Sequence, residues 1–460
     1  MARGAFLVTA LVPLHLSVAA SPSLCKYTSG SEAGGLHSCS PSDPAPSSTW
    51  SLSMDPTDDT RQTVDGFGAA WTDATTYVFD SLSPDDQEVI LETLFGSSKD
   101  DAIKLELMRT TVGQSDLTPS HYGRWSFDEA AEPDPDLSKF SLTEPGERML
   151  SWIMRMQEHT SSVTLLGSLW SPPGWMKQDN QLRWQYRESY AAYIVKYLTA
   201  YRDAGVEVDA LTLQNEPLHS ADPAWTMLED ARCAAILTNL TAAAIGEAGL
   251  GTEIWAYDHN TDHPEYPQYV LDNSEGAAAV AWHCYSGAGW DAIKDFGASN
   301  PGVRSYMTEC WLHETTGEGF FDLPKFVLRP VAAGASGAMA WTLGGSADLD
   351  VSYPGGCEQC TGLVQVDMKD ATYELTKDFY KLGQFSKFVQ KGAGYLPVDG
   401  GYVWADGTGM EAVGFRNLDG GLVVVVLNMF DNDVQVTLDL AGGEPVVGDV
   451  KANSVTTWVL

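Results

Sequence analysis

The chain is short of positive charge: 27 Lys and Arg stand against 62 Asp and Glu, a net charge of −35 over 460 residues. So acidic a surface repels nucleic acid and anionic bilayers, which leaves a neutral ligand as the favoured partner. Long hydrophobic runs are also scarce. An apolar stretch from Ala5 to Val18 follows Arg3 and runs into Val18-Ala19-Ala20. It is too short for a membrane span and reads as an export signal over residues 1–20, which predicts a secreted, extracellular protein with no stable membrane association.

Several motifs are missing as well. No His-x-His or His-Glu-x-x-His pair offers a hydrolytic metal site, no Gly-x-Ser-x-Gly elbow offers a serine nucleophile, and no Gly-x-Gly-x-x-Gly follows the first barrel-type strand. No cofactor and no metal are expected. Cysteines number seven, enough for three disulfides and one thiol in an exported chain. Cys25 and Cys39 bracket a Ser/Gly-rich loop and read as one pair; Cys357 and Cys360 read as a tight loop disulfide. Cys233, Cys284 and Cys310 lie in apolar contexts and read as buried and inert. Asn239-Leu-Thr241 is a glycosylation sequon.

What is present is a large supply of core. Hydrophobic residues make up 44%, with 15 Trp and 18 Tyr. From Gly66 onward, short apolar runs alternate with helical stretches. The runs begin at Gly66, Ile103, Val163, Ala210, Glu253, Ala279, Arg304 and Gly337. Eight strand-helix alternations over about 280 residues predict an α/β fold, a (β/α)8 barrel. Beyond a helix expected over Tyr373–Val389 the periodicity turns to two, with Asp-Gly, Gly-Gly and Asp-Asn turns. That predicts a small all-β sandwich, which the strand Trp50–Met54 is expected to join. The expected divisions are an N-terminal segment over 21–65, the barrel over 66–390 and the sandwich over 391–460.

The run Leu211-Thr-Leu-Gln-Asn-Glu-Pro217 then demands an explanation, because an apolar strand ends in a carboxylate. Asn-Glu-Pro is ordinary loop chemistry. Yet polar residues at the C-terminal ends of barrel strands converge on one face, and there Glu216 meets Glu309 from strand seven. Two facing carboxylates are the minimum for cleaving an acetal. Arg109 would keep Glu309 ionised and oriented, unless it serves a structural ion pair with Glu106 or an aspartate. Glu216, among apolar walls, would hold its proton longer. Tyr285 is either a core tyrosine or a donor to Glu309, and Trp341 either a sugar platform or core.

Six ordered motifs then resemble one family. They are Asp65-Gly-Phe-Gly-Ala-Ala-Trp-Thr-Asp73, Met108-Arg-Thr-Thr-Val-Gly-Gln-Ser-Asp116, Ser168-Leu-Trp-Ser-Pro-Pro-Gly-Trp-Met-Lys177, Leu213-Gln-Asn-Glu-Pro217, Tyr306-Met-Thr-Glu-Cys310 and Gly337-Ala-Met-Ala-Trp341. The set is similar to glycoside hydrolase family thirty, which includes glucosylceramidases, endo-β-1,6-glucanases and xylanases. The resemblance implies a (β/α)8 barrel with an attached β-sandwich, and retaining hydrolysis. It makes Glu216 the acid/base and Glu309 the nucleophile, sets Asn215 on the sugar 2-hydroxyl, and lines the subsite with Asp116, Trp170 and Trp341. Gly355-Gly-Cys-Glu-Gln-Cys-Thr-Gly-Leu-Val364 looks like the fungal endo-β-1,6-glucanase branch. The absence of Arg between Arg329 and Arg416 counts against glucuronoxylan. The expectation is a monomeric secreted endo-β-1,6-glucanase acting on neutral β-glucan of fungal walls. The alternatives are a glucosylceramidase or other β-glycosidase of the same family and, in a different class, a non-catalytic carbohydrate-binding protein.

Overall fold

A computed structural model describes residues 25–30, 48–287, 289–312 and 321–460. Its centre is a closed parallel barrel in which the eight strands neighbour one another in chain order. They are Gly66–Trp71, Leu107–Val112, Thr164–Leu169, Ala210–Thr212, Glu253–Thr261, Ala277–Gly287, Arg304–Glu309 and Ala335–Ala340. Their side chains fill the interior: Leu107, Leu166, Ala279, Ala281 and Met339 pack around Trp255 and Tyr306, whose rings stack at 3.8 Å. Strands one and two approach so closely that a Cβ at Gly68 would lie 1.6 Å from the Leu107 carbonyl oxygen. Only glycine fits there.

The helices start where their caps dictate. Ser83 accepts from the Asp86 N–H and opens Pro84–Phe95. Asp230 accepts from the Cys233 N–H, so the helix expected from Trp225 begins at Ala231. Thr72 caps a short helix, Asp73–Phe79, that the pattern did not announce. Thr372–Leu375, expected as helix, instead pairs as a strand with Val364–Asp367, and the helix Lys377–Ser386 follows its cap Thr376. Thr and Tyr suit an edge strand as well as a helix, and pairing decides.

The C-terminal strands form a β-sandwich. One sheet runs in the order Cys25–Gly30, Ser454–Val459, Leu422–Asn428, Gly409–Arg416, Ala393–Leu396 and Thr63–Val64; the other joins Ser48–Met54, Val434–Leu440 and Val446–Val450. Ser48–Met54 pairs in parallel with Val434–Leu440, Trp50 opposite Val436. Cys25–Gly30, in a segment expected to be irregular, pairs with Ser454–Val459. Leu52, Met54, Val424, Val426, Leu438 and Trp458 are the sandwich core. The Arg329–Glu411 ion pair and the Thr457 hydroxyl on the Gln384 carbonyl join sandwich to barrel.

Two disulfides are formed, Cys357–Cys360 and Cys284–Cys310, while Cys233 is free. The second corrects the expectation that Cys284 and Cys310 are inert thiols. They follow His283 and Glu309, which face each other in the register of strands six and seven, so folding brings them to a Cα separation of 5.4 Å. The Cys25–Cys39 pairing and the export signal lie outside the described residues. No helix among the described residues is long and apolar enough to cross a membrane.

Candidate active site

Asp258, at the end of strand five, is the hub of the barrel's C-terminal face. Completely buried, it accepts from Arg109 Nη2 (2.9 Å), Ser168 Oγ (2.6 Å), Thr212 Oγ1 (2.5 Å) and Thr308 Oγ1 (2.6 Å), and meets His283 Nε2 at 3.0 Å. Burial alone would raise its carboxyl. The Arg109 charge and the His283 contact outweigh burial and hold it well below the usual carboxylate range. One residue thus gathers side chains from strands two, three, four, six and seven.

Arg109 fans out from this hub. Besides Asp258 it donates to Glu309 Oε2, to Asn215 Oδ1 (2.6 Å) and to Ser168 Oγ (3.1 Å), and it lies 4.5 Å over the Trp170 ring. Burial, which would lower its pKa, is outweighed by the charges of Asp258 and Glu309. The alternative partner Glu106 is occupied by Ser162 Oγ and the Lys391 N–H. The Tyr285 hydroxyl donates to Glu309 Oε1 at 2.9 Å. Each oxygen of Glu309 is therefore held by its own donor.

Glu216 sits in the left-handed region, φ +46°, just before Pro217. Its N–H donates to the Asp258 carbonyl (3.0 Å) and its carbonyl accepts from His219 N–H (2.8 Å), contacts that hold an unfavourable backbone in place. Its Oε1 lies 3.3 Å from His283 Nδ1 and 3.5 Å from His259 Nδ1. Burial alone would push the carboxyl up, but the two imidazoles win and hold it below its ordinary value. This reverses the expectation that Glu216 keeps its proton. His283 moves the other way. Burial would lower it, yet the Glu309 charge and the contacts to Asp258 and Glu216 lift it to about 9. The same Nδ1 lies 3.8 Å from Glu309 Oε1, so both glutamates face one ring atom.

The remaining predicted residues surround this pair unevenly. Asp116 is half-buried; its Oδ2 accepts from the Cys357 N–H (3.2 Å), and its carboxyl is pushed up to about 7 by burial and then by the charges of Glu309 and Glu216. Trp170 and Trp341 stack on each other at 5.2 Å and are each 2% exposed, so they wall the site behind Arg109. The aromatic faces open to solvent are Tyr285 and Trp311, 40% and 37% exposed. Trp71, also at a strand end, turns into the core against Phe79, Phe95 and Trp152. Asn239 is exposed on the helix Ala231–Glu247, its amide bridging the Asn273 carbonyl and the Glu275 N–H.

Three residues with no role assigned from sequence prove central: Asp258, His259 and His283. Their signal was the pair of strand ends Asp258-His259 and His283, visible only as positions. Glu216, His259 and His283 also bring three potential metal-ligating atoms within 4.8 Å of one another. A search for closely spaced histidines misses such a group, because its members come from different strands.

Two family models match the chain: the glycosyl hydrolase family 30 TIM-barrel domain over residues 64–288 and the family 30 beta sandwich domain over residues 403–458. The endo-1,6-beta-D-glucanase of Neurospora crassa is 41% identical over 434 residues, covering 91% of this chain and 89% of the relative. The endo-1,6-beta-D-glucanase neg1 of Aspergillus fumigatus is 39% identical, with the same shares covered. Among solved structures, the endo-beta1,6-glucanase BT3312 superposes with a TM-score of 0.83 at 23% identity, over 95% of this chain and 99% of that one. With a closed eight-stranded barrel, a sandwich tied to both ends of the chain and these matches along its length, the chain belongs to glycosyl hydrolase family 30.

Proposed function

We propose that the protein is a retaining endo-β-1,6-glucanase, secreted and monomeric, that cleaves neutral β-1,6-glucan with Glu309 as nucleophile and Glu216 as acid/base. The observation that carries the chemistry is the pair of glutamates facing His283 Nδ1, at 3.3 and 3.8 Å. Their nearest oxygens are no farther apart than these distances laid end to end. That accommodates the separation of about 5 to 5.5 Å used for retention and leaves only the short end of the range of about 6.5 to 9.5 Å used for inversion.

In this reading Glu309, gripped at both oxygens by Arg109 and Tyr285, attacks the anomeric carbon while Glu216 protonates the departing oxygen. The proton comes along the His283 Nδ1 contact, and His283 keeps its other nitrogen on Asp258. Water then attacks the glycosyl-enzyme as Glu216 takes a proton back. Asn215 gives Oδ1 to Arg109 and turns its amide N–H to the sugar 2-hydroxyl. Asp116, Trp170 and Trp341 line the subsite, with Trp311 and Tyr285 at its mouth. Export is supported by two disulfides, bonds that persist in oxidising compartments; Asn239 is the glycosylation site of this reading.

A reducing-sugar assay on pustulan, laminarin and xylan tests the assignment. Pustulan should be cleaved well ahead of the others, Glu309→Gln should abolish turnover, and azide should restore Glu216→Ala on a substrate with a good leaving group. Full activity in Glu309→Gln would sink the mechanism, and a preference for xylan the substrate.

A further inference from the structure

Glu216 is surrounded by more nitrogen than a proton transfer needs. His283 alone provides a proton path, yet His259 brings a second Nδ1 to 3.5 Å from the same oxygen. His259 is only 7% exposed, and that nitrogen has no hydrogen-bond partner among the described residues. A buried imidazole nitrogen aimed at a carboxylate and at a second imidazole is the donor pattern of a transition-metal site.

The distances agree with that chemistry. In a tetrahedral site with bonds of about 2.0–2.1 Å, neighbouring ligand atoms stand about 3.3–3.4 Å apart. Glu216 Oε1 is 3.3 Å from His283 Nδ1 and 3.5 Å from His259 Nδ1, and all three ligand atoms lie within 4.8 Å of one another. The supporting contact is also in place: His283 turns its other nitrogen to Asp258 Oδ1 at 3.0 Å, which fixes the ring with Nδ1 pointing inward. The Glu216 side chain is 17% exposed, so a water from the cleft can complete the coordination.

We propose that Glu216, His259 and His283 bind a single Zn2+ or Cu2+ ion, which inhibits the enzyme by occupying the place of the proton between Glu216 and His283. Two imidazoles and one carboxylate select ions of this class over Ca2+ and Mg2+, which prefer all-oxygen shells. Binding stands on the geometry alone; inhibition rests on Glu216 being the acid/base.

The full-length protein titrated with CuCl2 and read by electron paramagnetic resonance tests the site. The expected spectrum shows coupling to two imidazole nitrogens at one ion per chain, undisturbed by a large excess of CaCl2. His259→Ala should lose one coupling and weaken binding at least about tenfold. Oxygen-only ligands in the wild-type spectrum, displacement by CaCl2, or unchanged affinity in His259→Ala would overturn the proposal and assign the ion to the acidic surface. Should that variant not fold, the wild-type spectrum and the CaCl2 competition decide. Glucan hydrolysis is followed separately with ZnCl2, which should inhibit it. A nitrogen-ligated ion that leaves turnover undiminished would uphold the site and overturn the role of Glu216.

Discussion

Replacing Glu229 by Gln should stabilise the protein, and only on the alkaline side. Glu229 lies beneath the loop that carries Glu216; its N–H donates to the Pro217 carbonyl at 2.9 Å and its carbonyl accepts from the Tyr266 hydroxyl at 3.1 Å. The side chain is 8% exposed, and its Oε1 has no partner among the described residues. It shares with Gln214 a cavity of about 20 Å3 walled by Tyr257, Tyr266 and Val270. Burial, and after it the charge of Asp230, pushes this carboxyl from its ordinary 4.5 to about 8. The folded protein therefore keeps a proton that the unfolded chain releases. Stability is full below pH 4.5, falls as the pH rises, and levels off above about 8, where the loss is about 5 kcal/mol. Glutamine keeps the shape and removes the titration. For a chain of this size about 1 °C of Tm corresponds to 1 kcal/mol, so Glu229→Gln should melt about 5 °C higher than wild type at pH 8.5. At pH 4 the two should coincide or the variant melt slightly lower, since the amide adds a donor to a tight cavity. Thermal denaturation followed from pH 4 to 9 decides it. A gap that does not change with pH, or a variant less stable at pH 8.5, would refute the reasoning.

Tyr285→Phe removes one donor from Glu309 Oε1 on a side chain that is 40% exposed, so kcat on pustulan should fall about 10- to 100-fold while Tm stays put. Arg109→Lys keeps a positive charge but cannot reach Glu309, Asn215, Ser168 and Asp258 together, and should cost about 3–5 kcal/mol in denaturant unfolding along with nearly all turnover. Cys357→Ser with Cys360→Ser frees the loop whose N–H holds Asp116, and should raise KM more than it lowers kcat; equal changes in both would show that the loop does not set substrate fit.

Glu216 and Glu309 were legible because each ends an apolar strand, and barrel geometry sends strand ends to one face. Arg109 was legible as a charge in a run that had to be buried. The protonation of Glu216 was not. Its neighbours in sequence are an amide and a proline, whereas the groups that set its charge, His259 and His283, arrive from strands five and six. Asp258 escaped for a related reason: a hub is defined by the donors that converge on it, and no local pattern records convergence. Cys284 and Cys310 looked inert because 26 positions separate them, while the register of two parallel strands makes them neighbours.

The Cys284–Cys310 bond has a consequence for how the protein can change. It sits one residue beyond His283 and Glu309, where the regular barrel hands over to its loops. A covalent tie at that boundary insulates the reacting groups from whatever follows it in the chain. Loops beyond it can be lengthened, recoloured with other side chains or exchanged to suit a different glucan, and the spacing of imidazole and carboxylate upstream need not answer to them. Substrate preference in such a barrel is then free to drift without the chemistry drifting with it.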